Sequence, residues 1–205
     1  MLNDPFEILF RIPALLIGIT VHEYAHGRVS EALGDPTPRW SGRLSLNPIR
    51  HLDLLGSLMI LLVGFGWAKP VPVNPNYYRN PRRDMMIVGL AGPFTNFATA
   101  ILVGRLGSLL LGGLAGGAFL PFIEWIVLIN VALGLFNLIP IPPQDGSKVL
   151  AYFMPARSMP AYWQLERYGI LLLLVIIFAF GSLLWGMLEP LFRLILGLAG
   201  LRGIY

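Results

Sequence analysis

The chain contains no cysteine. Disulfides, thiolate metal ligands and cysteine nucleophiles are therefore excluded, and any metal must be held by His, Asp or Glu. Charge is scarce as well. Asp, Glu, Lys and Arg make up 13% of the 205 residues, against about 25% in a typical soluble domain. Hydrophobic residues reach 56%, and the mean hydropathy is +0.69. This balance excludes a soluble domain and predicts an integral membrane protein. No clustered basic face stands out, so the net charge of +4 points to topology and lipid contact, not to nucleic acid. The opening Met1-Leu2-Asn3-Asp4-Pro5-Phe6-Glu7 has acidic groups and no basic n-region. A cleavable signal peptide is not expected there. No repeat, low-complexity tract or second domain is visible. Residues 1–205 read as one membrane domain, with a core over 6–150 and C-terminal helices over 165–205.

What the chain does have is long apolar runs. They predict an all-α polytopic membrane protein with about four to six transmembrane or re-entrant helices. The first helix runs from Phe6 to about Leu33, stopped by Gly34-Asp35-Pro36-Thr37-Pro38. Arg39 to Pro48 alternates at short period (Trp40, Leu44, Leu46) and predicts a short β-hairpin or strand. Leu52 to Trp67 is apolar but short, and is either a tilted span or a re-entrant segment. The prolines of Lys69-Pro70-Val71-Pro72-Val73-Asn74 forbid helix and favour an extended edge strand. Further helices are expected over Met85–Leu111, Phe119–Ile139 and Tyr168–Leu188, with a glycine-rich turn at Gly112–Gly117. Lys148–Arg167 reads as interfacial. Glu189-Pro190 is a break before a short Leu191–Leu201 segment.

Arg39, Arg43, Arg50, Lys69, Arg79, Arg82 and Arg83 all fall between Asp35 and Asp84. The positive-inside rule places that stretch in the cytoplasm and the N-terminus outside. This works most simply if Leu52–Trp67 is re-entrant, because both its flanks are basic.

Ionisable groups are costly in hydrocarbon and mark function there. His22-Glu23-Tyr24-Ala25-His26 sits inside the first span. Two imidazoles four residues apart share one helix face and can bind one Zn²⁺, with Glu23 beside them as general base for a metal-bound water. A catalytic zinc keeps three protein ligands, so a third must come from elsewhere. Asp145, before Gly146 at the end of a proline-rich turn, is one candidate, although an Asp before a Gly is also an ordinary turn residue. His51 is the rival, though it sits in a basic polar stretch that suits a surface histidine. Glu31 and Glu124 are weaker candidates, and Glu124 is placed to pair with Arg105. Ser57, Ser108 and Ser182 have no histidine partner by motif, so serine chemistry is not indicated.

The sequence resembles the site-2 protease family of intramembrane zinc metalloproteases. His22-Glu23-Tyr24-Ala25-His26 matches its zinc motif. Asn137-Leu138-Ile139-Pro140-Ile141-Pro142-Pro143-Gln144-Asp145-Gly146 matches its N-x-x-P-x-x-P-x-D-G element. Gly92-Pro93-Phe94-Thr95-Asn96 matches G-P-x-x-N, and Gly66 to Pro75 is similar to the loop before it. These elements span about Ile12 to Leu150. The resemblance implies one Zn²⁺ held by His22, His26 and Asp145, with Glu23 as base. It suggests Asn137 near the developing oxyanion, where the competing reading is a helix cap.

The substrate-contact set is Lys69, Pro70, Val71, Pro72, Val73, Asn74 and Asn96. Asn96 also reads as a residue that orients backbone or packs between helices. An unwound substrate adding to the extended strip is the expected mode. The implied substrates are single-span membrane proteins, cut from a site toward the cytoplasmic side of the cell membrane. No PDZ-like or other soluble regulatory domain is expected. The alternative is a transporter or metal carrier using the same His/Asp site, although no second copy of the motif supports it.

Overall fold

The computed structural model describes residues 5–53, 55–56, 67–111 and 119–201. Six α-helices are described within them: α1 (Pro5–Ala32), α2 (Thr37–Trp40), α3 (Pro81–Leu111), α4 (Leu120–Asn137), α5 (Gly146–Phe153) and α6 (Met159–Ala199). Among the described residues, four stretches are long and apolar enough to cross a membrane: Ile8–Ala32, Pro81–Leu109, Leu120–Asn137 and Ala156–Ala199. The multi-pass helical architecture expected from composition is therefore present.

α1, α3 and α4 pack on one another, and α6 packs against α3 and α4. The contact is built on small residues, as suits helices that must approach closely without water to drive them together. A Cβ on Gly134 of α4 would lie 2.4 Å from the Phe97 ring of α3. Phe97, Ala100, Val127, Val131, Leu135, Ile195, Leu196 and Ala199 form an apolar core between α3, α4 and α6.

The expected hairpin over Arg39–Pro48 is not formed. That stretch is the one-turn helix α2, an irregular segment, and a 3₁₀ turn at Pro48–His51. Pro38 sits inside the first turn, Gly42 has φ +67°, and the Asn47 side chain accepts the Ile49 N–H to start the 3₁₀ turn. Trp40 and Leu46 are exposed and do not pair across strands. The strand-like element is an isolated antiparallel bridge between Leu52 and Ala68, extended by Lys69 N–H donating to His51 O at 2.9 Å. The two flanks of the Leu52–Trp67 segment thus lie side by side. The path of residues 54 and 57–66 lies outside the described residues, as does the glycine turn at 112–118.

The C-terminal third also differs from expectation. The interfacial stretch begins with α5 and a 3₁₀ turn at Ala156–Ser158, and α6 then starts at Met159. α6 continues through Glu189-Pro190 and departs from helical angles at Phe180 (φ −130°, ψ 20°). A proline in a membrane helix is tolerated where the local backbone can adjust, and Glu189 and Arg193 form an ion pair across it at 2.6 Å. One expected pairing does not form, and one of the weaker ligand candidates is engaged elsewhere. Arg105 donates to Leu198 O at 2.6 Å instead of pairing with Glu124. Glu31 is bound by Arg28 and Arg39.

Candidate metal centre

α1 carries His22 and His26 one turn apart, so their rings lie on one face, 4.6 Å between centroids. Asp145 reaches them from the other end of the core. Pro140, Pro142 and Pro143 prevent α4 from continuing, and the chain turns tightly before α5 starts at Gly146. Gly146 does not need φ > 0; it is needed because a Cβ there would lie 2.2 Å from Leu138 O. The turn therefore folds back on the end of α4 and delivers Asp145 inward.

Three donor atoms converge. Asp145 Oδ2 is 3.0 Å from His22 Nε2 and 3.1 Å from His26 Nε2, and the two nitrogens are 3.0 Å apart. All three residues are buried. Tetrahedral zinc bonds of 2.0–2.1 Å set donors about 3.3 Å apart, close to this triangle. The donor chemistry agrees. His22 Nδ1 faces Asn96 Oδ1 at 2.6 Å, and His26 Nδ1 faces the Val88 carbonyl at 2.7 Å. Both partners only accept, so each Nδ1 donates and each Nε2 turns a lone pair inward. Two lone pairs and a carboxylate oxygen at this spacing require a cation, and a divalent ion satisfies all three at once. Gly92 of α3 completes the cradle. A Cβ there would lie 2.5–2.6 Å from His26 Nε2 and His22 Nε2.

The other oxygen of Asp145 is held by Lys148 Nζ at 2.9 Å. Burial pushes the Asp145 carboxyl up. The Lys148 ammonium beside it opposes that cost and favours the carboxylate form. It is anionic at neutral pH.

A cavity of about 180 Å³ opens on this centre, lined among others by Glu23, Asn137, Lys148, Pro70, Val71 and Val73. Glu23 Oε2 accepts the Val71 backbone N–H at 2.8 Å, and its Oε1 has no hydrogen-bond partner among the described residues. Asn137 donates one amide hydrogen to Leu133 O at 3.0 Å.

The strip divides. Pro70, Val71 and Val73 face the cavity, whereas Lys69 and Pro72 are exposed outside its lining. The Asn74 side chain accepts the Asn76 N–H of the next turn, and its own N–H goes to Asp35 Oδ2. Asn96 is fully buried behind His22, away from the cavity lining. His51 is not a surface histidine: it is fully buried, bonded to Ser45 O at 2.7 Å, and takes no place among the converging donors.

Comparison with known proteins agrees with this geometry. Residues 109–180 match the model of Peptidase family M50. YwhC of Bacillus subtilis is 38% identical over 189 residues, covering 88% of this chain and 86% of its own, and its name assigns it as a zinc metalloprotease. The chain belongs to peptidase family M50. Rip2 of Mycobacterium tuberculosis, similarly named, is 30% identical over 192 residues, covering 85% of this chain and 71% of its own. MJ0611 of Methanocaldococcus jannaschii is 32% identical over 161 residues, with 72% and 73% covered. No solved structure matches. As an M50 peptidase, the chain is a metalloendopeptidase.

Sequence reasoning missed the residues behind the M50 centre. Lys148 carries a usable signal, lying three residues after Asp145 on the same helix turn. Asn130 carries another, as a lone amide in an apolar span. Gly92 was visible only as part of a motif, and the Val88 carbonyl left no trace in side-chain chemistry.

Proposed function

We propose that this chain is a zinc-dependent intramembrane endopeptidase that hydrolyses peptide bonds within or near the transmembrane segment of single-span membrane proteins. The observation that carries the reading is the convergence of Asp145 on His22 and His26, two residues of a helix long enough to cross the bilayer. The basic stretch between Asp35 and Asp84 supports a site toward the cytoplasmic side and an external N-terminus.

Zinc bound there supplies a water of lowered pKa and polarises the scissile carbonyl. Glu23 lines the same cavity and has one oxygen free to take the proton of the attacking water and return it to the leaving amine. Asn137 has a second amide hydrogen to offer the developing oxyanion. Lys148 holds Asp145 in place throughout.

A substrate helix satisfies its own amides and must unwind before it is cut. The strip supports capture of the unwound segment. The carbonyls of Lys69–Val73 and the Val73 N–H have no hydrogen-bond partner among the described residues. They offer main-chain pairing with little side-chain demand, and Pro70, Val71 and Val73 set the paired segment against the metal.

The test is cleavage of a single-span substrate in detergent or proteoliposomes by the purified protein, with and without chelator. Chelator-sensitive cleavage inside the apolar segment is expected. Cleavage confined to soluble loops, or unaffected by zinc removal, overturns the reading.

A further inference from the structure

Asn130 lies in the middle of α4, fully buried and outside the cavity lining. Its Nδ2 donates to Ile126 O of its own helix at 2.8 Å. That bond turns Oδ1 the other way, toward α3, where it accepts from Asn96 Nδ2 at 2.7 Å. The other hydrogen of Asn96 Nδ2 goes to Gly18 O of α1 at 3.0 Å. Both amide hydrogens of Asn96 are thus committed, and its Oδ1 is left facing His22 Nδ1 at 2.6 Å.

The orientation of this one amide decides what His22 can do. An acceptor at Nδ1 places the ring proton there and leaves Nε2 bare toward His26 and Asp145. A reversed amide would present its N–H₂ to Nδ1, drive the proton to Nε2 and block the lone pair the metal needs. Two acceptors oppose that reversal. One is a backbone carbonyl that any sequence would supply at residue 18. The other is the Asn130 side chain.

We propose that Asn130 is a positioning residue for the metal centre, fixing His22 in its Nδ1–H tautomer through Asn96. The inference rests on His22 being a zinc ligand. Asn130 touches neither the ligands nor the cavity, so its effect passes entirely through the Asn96 amide.

The test is a double-mutant cycle on the full-length protein in detergent, read as zinc affinity by chelator competition. Asn130→Leu removes the acceptor while keeping the branched side-chain shape and is expected to weaken zinc binding about tenfold, the scale of an outer-shell contact. Asn96→Asp replaces the reversible amide by a group that only accepts, so His22 keeps its tautomer without Asn130. In that background, adding Asn130→Leu is expected to change zinc affinity by less than about twofold. An undiminished affinity in Asn130→Leu, or an equal loss in both backgrounds, overturns the proposal. Where the single variant does not fold, comparing Asn96→Asp with Asn96→Asp/Asn130→Leu decides alone: a tenfold loss there overturns it. His22→Ala separates the two readings. Wild-type zinc affinity in that variant removes His22 from the ligand set and refutes the metal assignment itself.

Discussion

The Val71 backbone N–H donates to Glu23 Oε2 at 2.8 Å, tying the carboxylate on the first span to a strip 48 residues later. A glutamine at position 23 keeps an oxygen for that N–H but cannot take a proton. Glu23→Gln is therefore expected to retain zinc and lower kcat by about 10²–10⁴. Metal analysis and peptide cleavage on the same preparation check it. Cleavage at the wild-type rate would remove Glu23 from the base role.

Gly92 is where space and chemistry compete most directly. An alanine methyl would enter 2.5–2.6 Å from both ligand nitrogens. Gly92→Ala is expected to lose bound zinc while keeping its helical circular dichroism, since α3 gains a better helix former. Full zinc occupancy in the variant would contradict the placement of the ion against α3.

Much of this centre is legible in the sequence. The spacing of His22 and His26 alone defines a shared helix face, and the proline-rich turn before Gly146 announces a backbone that folds back on itself. The rest was hidden for identifiable reasons. Trp40, Leu44 and Leu46 mimic a strand by their spacing alone; Trp40 belongs to α2 and Leu44 and Leu46 to the irregular segment after it. Pro190 reads as a break by the rules of soluble helices, which a membrane relaxes. The division of the strip between Val71 and Asn74 depends on contacts to Glu23 and Asp35, far away in sequence.

Lys148 and Asp145 separate ligation from orientation. Asp145→Ala removes a donor and is expected to reduce zinc to trace occupancy. Lys148→Met leaves the donor but frees its other oxygen, so zinc should bind about tenfold more weakly. Chelator competition distinguishes the two. Identical behaviour of both variants would show that Lys148 does more than hold the carboxylate.

Asn137→Ala is expected to leave zinc affinity unchanged and lower kcat by about 10²–10³, the scale of one lost oxyanion donor. Single-turnover cleavage measures it. A change in zinc affinity, or no change in rate, would return Asn137 to a helix-end role through its bond to Leu133 O.

Asp35 anchors the strip from outside the spans. It accepts the N–H of Thr37 at 2.9 Å and of Asn74 at 2.8 Å, and the Ser30 hydroxyl at 2.8 Å. Burial pushes its carboxyl up, but these hydrogen bonds outweigh burial and hold it below its usual value. A depressed folded-state value means the stabilisation is present above the unfolded value of about 3.9 and is lost as pH falls through the folded one. Thermal melting should show Asp35→Asn less stable than wild type at neutral pH, with the gap closing below about pH 4. A constant gap across that range would exclude the titration.

The hydrogen bonds that orient the amide facing His22 come from three separate spans: Gly18 on α1, Asn96 on α3 and Asn130 on α4. A nascent chain with only its first hairpin of helices in the bilayer has two imidazoles and neither the carboxylate nor the proton arrangement to retain an ion. Metal capture therefore waits until α4 and the turn that carries Asp145 have joined α1 and α3.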